Sequence, residues 1–150
     1  MYYFVSNQNF NEKIIIPRVP ENIASHEDNI SKRICVSKSL LGCIISLWSL
    51  ITTWDEVYVH QCCSSNVITP LKRKVHDGYL TGEEWILEPV KMKLDTILYI
   101  RKRIINDQYS EWLFTNDANI SFTMCNFDTD RYYKNTYNRY FNNTYNRKEV

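Results

Sequence analysis

Two segments of the chain carry side chains suited to a phosphate-containing ligand. In the first, Lys32 to Trp54, a predicted strand leads into a predicted helix, and the free backbone N–H groups at such a corner can meet ligand phosphates. Arg18 and Arg33 add planar guanidinium groups, which pair bidentately with a pyrophosphate. In the second segment, Glu83 and Glu84 open an apolar predicted strand. We therefore expect a site where these two segments meet.

Each of these charged side chains also has an ordinary structural interpretation. Either arginine could form a surface ion pair with Glu27 or Asp28, and such pairs contribute little to stability or function. Glu83 stands at a turn before an apolar strand, where a carboxylate is commonly solvated. The residue types alone leave both interpretations open.

The longest stretch without charge, Ser39 to Trp54, predicts one long and mostly buried helix. Its polar or small positions recur at helical spacing and form one narrow stripe: Lys38, Gly42, Ser46, Ser49 and Thr53. Ser37 and Ser39 precede this helix, and either hydroxyl can cap its first turn. The stretch is shorter than the roughly 20 apolar residues of a membrane span. Since the start of the chain also lacks a signal-peptide pattern, we expect a cytoplasmic protein with no membrane partner.

Apolar and β-branched runs predict strands around this helix. They lie at Met1 to Val5, Ile14 to Ile16, Ile34 to Val36, Glu56 to Gln61, Trp85 to Val90 and Thr96 to Ile105, the last of which could also close as a helix. The alternating run ISFTMCNF offers a further strand near the C-terminus. Strands scattered around one buried helix indicate an α+β domain.

Composition adds little about partners. The chain has 150 residues and is 44% hydrophobic, which suits one globular domain, expected at residues 1–127, followed by a tail at 128–150. Its 18 basic and 17 acidic residues nearly cancel, so net charge does not point to nucleic acid or a membrane surface.

The cysteines predict reduced thiols. Five of them occur without a repeated spacing, which argues against a disulfide framework. His60, Cys62, Cys63 and His76 are residue types that bind zinc, but no CxxC pair exists and neighbouring cysteines on a strand point to opposite faces. We predict no metal site.

The C-terminal residues 128–150 are dominated by Tyr, Asn and Arg and contain the sequence NTYNR twice. Interleaved tyrosine and arginine can stack on bases and pair with phosphates of single-stranded nucleic acid. The alternative is a polar terminus, or an edge whose tyrosines pack on the core. We expect residues 131–150 to contact a protein or nucleic-acid partner.

The order of elements carries a resemblance to a known superfamily. An aromatic first strand, an arginine-containing loop, a strand ending in Ser, a long helix and a later strand beginning with Glu resemble the ADP-ribosyltransferase fold, which binds NAD between two small sheets. More narrowly, PRVPEN, the pair Glu27 and Asp28, RICVSKSLLGC and TGEEWILEPV are similar to motifs of an uncharacterised group of small bacterial and phage proteins, PRxPEN, RxCxxxSIxGCL and TGExWxLEPV. The resemblance covers about Tyr2 to Lys93.

The resemblance implies a role for three residues in particular. Tyr3 takes the first-strand position that commonly holds a histidine, Ser37 the position near the nicotinamide, and Glu83 the position that grips the nicotinamide-side ribose and assists transfer. Loss of nicotinamide leaves an oxocarbenium-like ribose that a carboxylate stabilises. Tyrosine in place of histidine affects catalysis more than binding, because it can still donate one hydrogen bond. The expected cofactor-binding side chains are Arg18, Arg33 and Ser39.

Three functions follow as expectations. The first is transfer or hydrolysis of ADP-ribose from NAD, and the second is nucleotide binding without chemistry. The third is a non-enzymatic phage or mobile-element protein that inhibits a host defence complex through its surface and tail. A cleft bounded by Tyr3, Ser37 and Glu83 favours the first two functions, whereas scattered positions favour the third.

Overall fold

The structure is a computed structural model and describes residues 1–21, 27–71, 81–106, 109–116, 120–127 and 146–147. The chain divides into two compact units: unit 1 comprises Met1–Trp48 and Tyr58–Thr96, and unit 2 comprises Ser49–Val57 and Ile97–Val150. Of the predicted tail at 128–150, all but residues 146–147 lie outside the described residues.

Strands dominate both units. In chain order the elements are β1 (Tyr2–Ser6), β2 (Ile14–Ile15), β3 (Ile34–Ser37), α1 (Leu40–Ser46), α2 (Trp48–Ile51), β4 (Glu56–Cys62), β5 (Val67–Ile68), β6 (Glu83–Ile86), β7 (Val90–Lys91), β8 (Lys93–Asn106), β9 (Tyr109–Thr115), β10 (Ile120–Phe127) and β11 (Asn146–Arg147). Strands occur in all the runs predicted from aromatic and β-branched residues, and the run from Thr96 to Ile105 is strand rather than helix. The predicted single strand from Trp85 to Val90 is wrong, because β6 ends at Ile86 and β7 begins at Val90.

Unit 1 contains an antiparallel sheet with the strand order β4-β1-β3-β6-β5. One face of this sheet packs against β7 and Met92. The buried side chains that form this cluster are Ile34, Val36, Cys62, Ile86, Val90 and Met92. The short strand β2 pairs with β7, and Ile15 and Phe10 pack against this cluster. Helix α1 contacts β1, β3 and β6 in the same unit.

The prediction of one long buried helix from Ser39 to Trp54 is wrong. The helix α1 ends at Ser46, and Leu47 leaves helical geometry with φ −109° and ψ 17° before α2 begins. Its sequence gives it little support beyond burial, since its first turn holds no acidic residue and its last turn no basic one. The Ser46 hydroxyl donates to the carbonyl of Cys43 at 2.8 Å, a local bond of the kind that competes with helix continuation.

The predicted α+β fold of ADP-ribosyltransferase type is therefore also wrong. The described chain is mostly β-sheet with two short helices, and no single long helix organises it. The predicted burial is confirmed for Leu40 to Ile45 of α1 and for Ile51 of α2, whereas Ser46 and Ser49 are exposed. No helix among the described residues is long and apolar enough to cross a membrane.

Unit 2 contains the antiparallel strand order β11-β10-β9-β8. The pairing of β8 with β9 runs from Tyr99 opposite Thr115 to Asn106 opposite Tyr109, with an irregularity between Ile104 and Asn106. Side chains alternate between the two faces of such a hairpin, so alternate residues of β8 share one face. Leu98, Trp112 and Phe114 are buried on one face.

Candidate functional site

Tyr3, Ser37 and Glu83 lie next to one another across three strands of unit 1. Tyr3 is the Cα partner of Ser37 in the pairing of β1 with β3, and Ser37 is the Cα partner of Glu83 in the pairing of β3 with β6. Directly paired residues of antiparallel strands project to the same face. The three predicted catalytic residues thus form one row, in which Tyr3 and Glu83 are half-buried and Ser37 is buried.

The hydroxyl of Ser37 is engaged inside the protein. It donates to the carbonyl of Thr81 at 2.8 Å and accepts from the amide of Ser39 at 3.0 Å, and the residue is only 2% exposed. These bonds tie the end of β3 to the residue that precedes Gly82 and Glu83. In this arrangement Ser37 positions Glu83 and does not offer its hydroxyl to a ligand.

Ser39 serves as the N-cap of α1. Its backbone is extended, with φ −107° and ψ 123°, and its hydroxyl accepts from the amide of Gly42 at 3.1 Å. Of the two serines that could have capped this helix, Ser39 is the one that does. Its hydroxyl is therefore occupied by the protein, and the same bond satisfies one of the amides that a phosphate would have used.

Gly42 allows α1 to approach the Thr81 backbone closely. A Cβ atom at Gly42 would lie 2.0 Å from the carbonyl oxygen of Thr81 and 3.0 Å from Oγ of Ser37. Real Cβ atoms do not come so near to another atom, so a glycine is needed here. On the same helix, the thiol of Cys43 donates to the carbonyl of Tyr3 at 3.2 Å. The first turn of α1 is thus joined to both β1 and the turn before β6.

Arg33 is a buried structural residue. It is 2% exposed, and its guanidinium donates to the carbonyls of Ser31 and Asp28, each at 2.9 Å. The Asp28 carboxylate lies 3.6 Å from Nη1 of Arg33 and accepts from the amides of Ile30 and Ser31 at 2.9 and 2.7 Å. Of the two interpretations of Arg33, the structure shows the ion pair with Asp28, but this pair is buried and does not lie on the surface as predicted. A guanidinium so occupied is not available for a pyrophosphate.

Trp85 connects this buried arginine to the carboxylate of Glu83. The guanidinium carbon of Arg33 lies 4.2 Å from the centroid of the Trp85 ring, a cation–π contact. The indole Nε1 of Trp85 donates to Oε1 of Glu83 at 2.8 Å. Asp28, Arg33, Trp85 and Glu83 therefore form one chain of contacts that ends at a half-buried carboxylate, which is held in a defined orientation.

Cys35 lies on the same face of the sheet as Ser37 and Glu83, where it is the Cα partner of Trp85. Burial raises the pKa of its thiol most, and the negative charge of Glu83 raises this pKa further, whereas Arg33 acts in the opposite direction. The thiol is therefore protonated at neutral pH. A protonated, partly buried thiol is a poor nucleophile.

Arg18 is the predicted cofactor-binding residue that remains exposed. Its backbone pairs with that of Arg33, with N–O distances of 3.2 and 2.9 Å, while its side chain is 76% exposed. Its Nη1 atom lies 3.9 Å from Oε1 of Glu21, which is not one of the two predicted partners, Glu27 and Asp28. A pair so exposed is weak, so the guanidinium can exchange Glu21 for another anion.

Sequence reasoning missed Trp85 and Cys35 as members of the site. Residues two apart on a strand share a face, so Trp85 lies on the side of Glu83, and Cys35 on the side of both Arg33 and Ser37. That alternation was readable in the sequence. The row offers an oriented carboxylate and, on the other side of Ser37, a phenol, which suit a ligand with sugar hydroxyls. The backbone of the exposed Arg18 pairs with that of Arg33, four residues before Ser37.

Within the part of the chain that the structure describes, no group of three His, Cys, Asp or Glu side chains is placed to hold a metal ion. The Nε2 atom of His60 accepts from the amide of Phe10 at 2.9 Å, which occupies that nitrogen. The chain matched no protein-family model, no curated protein and no solved structure.

Proposed function

We propose that unit 1 binds a nucleotide of the NAD or ADP-ribose type at the row formed by Tyr3, Ser37 and Glu83. The observation that carries the proposal is the register of the three strands, which brings these residues together although they are far apart in the sequence. Tyr3 and Glu83 flank Ser37 on either side, about 10 Å apart across two strand spacings. One Glu83 oxygen bonds Trp85, and the other is left to accept from a ligand.

In this proposal the carboxylate of Glu83 accepts hydrogen bonds from the vicinal hydroxyls of a ribose. A carboxylate accepts at two oxygens, and Trp85 fixes one of them at 2.8 Å, so the group is oriented before the ligand arrives. Pre-orientation lowers the entropy that binding must remove. Tyr3 contributes one hydroxyl donor and one aromatic face, and Arg18 supplies the exposed charge for the pyrophosphate.

The reaction proposed for this site is transfer or hydrolysis of ADP-ribose. As the bond from ribose C1 to the nicotinamide nitrogen breaks, positive charge develops on the ribose, and the negative charge of Glu83 stabilises it. The nicotinamide leaves with the bonding electron pair, and a water or a nucleophile of a macromolecular target forms the new bond to C1 and loses its proton. Ser37 acts here as a positioning residue, because its hydroxyl holds the Thr81 carbonyl.

The test is to mix the purified chain with NAD and to follow nicotinamide release and thermal stability together. A ligand that binds only the folded state raises the free energy of unfolding, by about 2.7 kcal/mol at a concentration 100 times Kd. Release of nicotinamide supports the enzymatic form of the proposal, and stabilisation without release supports a binding module. If NAD and ADP-ribose both leave the melting temperature unchanged and no nicotinamide appears, the proposal is wrong.

A matched pair of variants assigns the effect to this face of the sheet. Glu83→Gln removes the charge but keeps an oxygen that can accept from Trp85. Glu84→Gln removes the same charge from the neighbouring residue, which projects to the opposite face and lies 4.0 Å from Nζ of Lys38. We expect only Glu83→Gln to abolish the response to NAD, with the melting temperature of the free protein nearly unchanged.

A further inference from the structure

Unit 2 exposes a basic face on the hairpin of β8 and β9. Tyr99, Arg101 and Arg103 alternate along β8 and are all exposed, Tyr99 by 44%. The residue opposite Arg101 in β9 is Leu113, which is 36% exposed. We call this surface, formed by Tyr99, Arg101, Arg103 and Leu113, the basic hairpin face.

The opposite side of the same hairpin is buried at its Leu98 end, whereas Ile104 on that side is 72% exposed. Leu98 and Phe114 are 0% exposed and Trp112 is 4% exposed, and all three alternate with the residues of the basic hairpin face. Around Leu98 and Phe114, the alternation therefore leaves the basic hairpin face as the solvent side. On this face the described residues leave the Tyr99 ring and the Leu113 side chain exposed.

The two arginines of this face differ in whether a carboxylate lies next to them. Nη2 of Arg103 lies 2.6 Å from Oε2 of Glu111, so one carboxylate offsets its charge. Arg101 faces an apolar partner instead, and Tyr99 precedes it by two residues on the same side. Alternate residues on a strand stand about 7 Å apart, so the two guanidinium groups lie in a row. Glu111 projects to the same face and offsets Arg103, which leaves Arg101 as the unbalanced positive charge.

We propose that the basic hairpin face binds single-stranded nucleic acid. Arg101 pairs with one phosphate, and Arg103 exchanges the carboxylate of Glu111 for the next one. The Tyr99 ring and the Leu113 side chain support unstacked bases between them. Sheet surfaces with exposed aromatic rings beside arginines bind single strands in this way, because every base has a face that can stack. A duplex keeps its base faces stacked internally, so it can use the arginines but not Tyr99. The charge alone would attract either form, and the exposed ring favours the single strand.

The test measures the affinity of the full chain for a fluorescein-labelled oligouridine by fluorescence anisotropy at several salt concentrations. Arg101→Ala should weaken binding and reduce the slope of log Kd against log salt by about one, as expected for one lost phosphate contact. Tyr99→Ala should weaken binding about tenfold, within the range found when a stacked aromatic side chain is removed, and should leave the salt slope unchanged.

Lys102→Ala is the matched control. It removes one positive charge from the residue beside Arg101, but its ammonium lies 5.2 Å from the Trp112 ring centroid on the other face of the hairpin. We expect its affinity for the oligouridine to stay near that of the unchanged protein. Melting temperatures of all three variants show whether folding is intact.

Any of the following results would overturn the proposal. The first is equal binding by the unchanged chain and Arg101→Ala, which would assign any binding to another part of the protein, such as residues 131–150. The second is an unchanged affinity in Tyr99→Ala, which would leave only general attraction to polyanions, as would equal competition by heparin. The third is a preference for a duplex of the same sequence, and the fourth is no binding of the oligouridine at low salt. The response to NAD is measured separately on these variants, so the two proposals stand or fall independently.

Discussion

The indole Nε1 of Trp85 lies 2.8 Å from Oε1 of Glu83, and the two residues are two positions apart on the same strand. Because alternate strand residues share a face, this bond needs no unusual backbone, only a carboxylate and an indole at positions i and i+2. The ring is 1% exposed and packs against the guanidinium of Arg33. The carboxylate is therefore supported by side chains that are themselves fixed by packing.

Replacing Trp85 by Phe should remove the hydrogen bond that orients Glu83 while keeping an aromatic ring in the same place. The phenyl ring retains an aromatic face for Arg33 but has no N–H, so Glu83 loses a charge-assisted hydrogen bond, which contributes about 1.5–3 kcal/mol. We expect weaker NAD binding than in the unchanged chain, together with a lower melting temperature from the smaller ring. A calorimetric NAD titration measures the first effect. Equal NAD affinity in Trp85→Phe and the unchanged chain would show that the bond does not matter for the site.

Replacing Arg33 by Met should strongly destabilise unit 1. The change leaves the Asp28 carboxylate partly buried without its guanidinium partner, and breaking a buried pair from one side costs about 3–5 kcal/mol. Arg18→Met is the control, because that side chain is 76% exposed and its pair with Glu21 contributes at most about 1 kcal/mol. Urea unfolding of both variants gives the comparison. Similar free energies of unfolding for the two would contradict the structural role of Arg33.

Replacing Gly42 by Ala should destabilise the contact between α1 and the turn before β6. The added methyl would lie 2.0 Å from the carbonyl oxygen of Thr81, which is backbone and cannot move alone. Overpacking of this kind costs about 1–3 kcal/mol or more. Ser46→Ala, at an exposed position of the same helix, introduces the same residue type without the clash. Thermal unfolding should show a clear loss only for Gly42→Ala, and an equal melting temperature would refute the close approach.

Acidification should weaken the fold through His60. Burial lowers the pKa of this imidazole in the folded protein, and its Nε2 accepts from the Phe10 amide, which a protonated ring could no longer do. The unfolded chain therefore binds the proton first, at about pH 6.5, and stability that is complete above this pH is lost as the pH falls through the lower pKa of the folded state.

The variant His60→Gln separates the loss of stability caused by protonation of His60 from the loss caused by protonation of carboxylates. Its amide oxygen can accept from Phe10 but does not titrate. We expect the free energy of unfolding to fall less steeply below about pH 6.5 in His60→Gln than in the unchanged chain. Parallel pH profiles for the two proteins would assign the acid sensitivity to other groups.

The sequence by itself determined which residues share a face within each strand. Arg33, Cys35 and Ser37 alternate along β3, and Glu83 and Trp85 alternate along β6, and this period of two is a local property of an extended chain. The sequence also limited the expected ion-pair partners of Arg33 to Glu27 and Asp28. It limited the expected N-cap of α1 to Ser37 or Ser39. Local sequence could do this because capping and strand alternation depend on only a few neighbouring residues.

Only the tertiary structure decided how these local elements combine. The register that places Tyr3 beside Ser37 and Ser37 beside Glu83 depends on which strands pair, and strand pairing is set by contacts distant in sequence. The path of the folded chain likewise decided that Asp28 pairs with Arg33 and that Ser39 caps α1. The break at Leu47 has the same origin, because apolar periodicity marks the residues that are buried but does not fix where a helix ends.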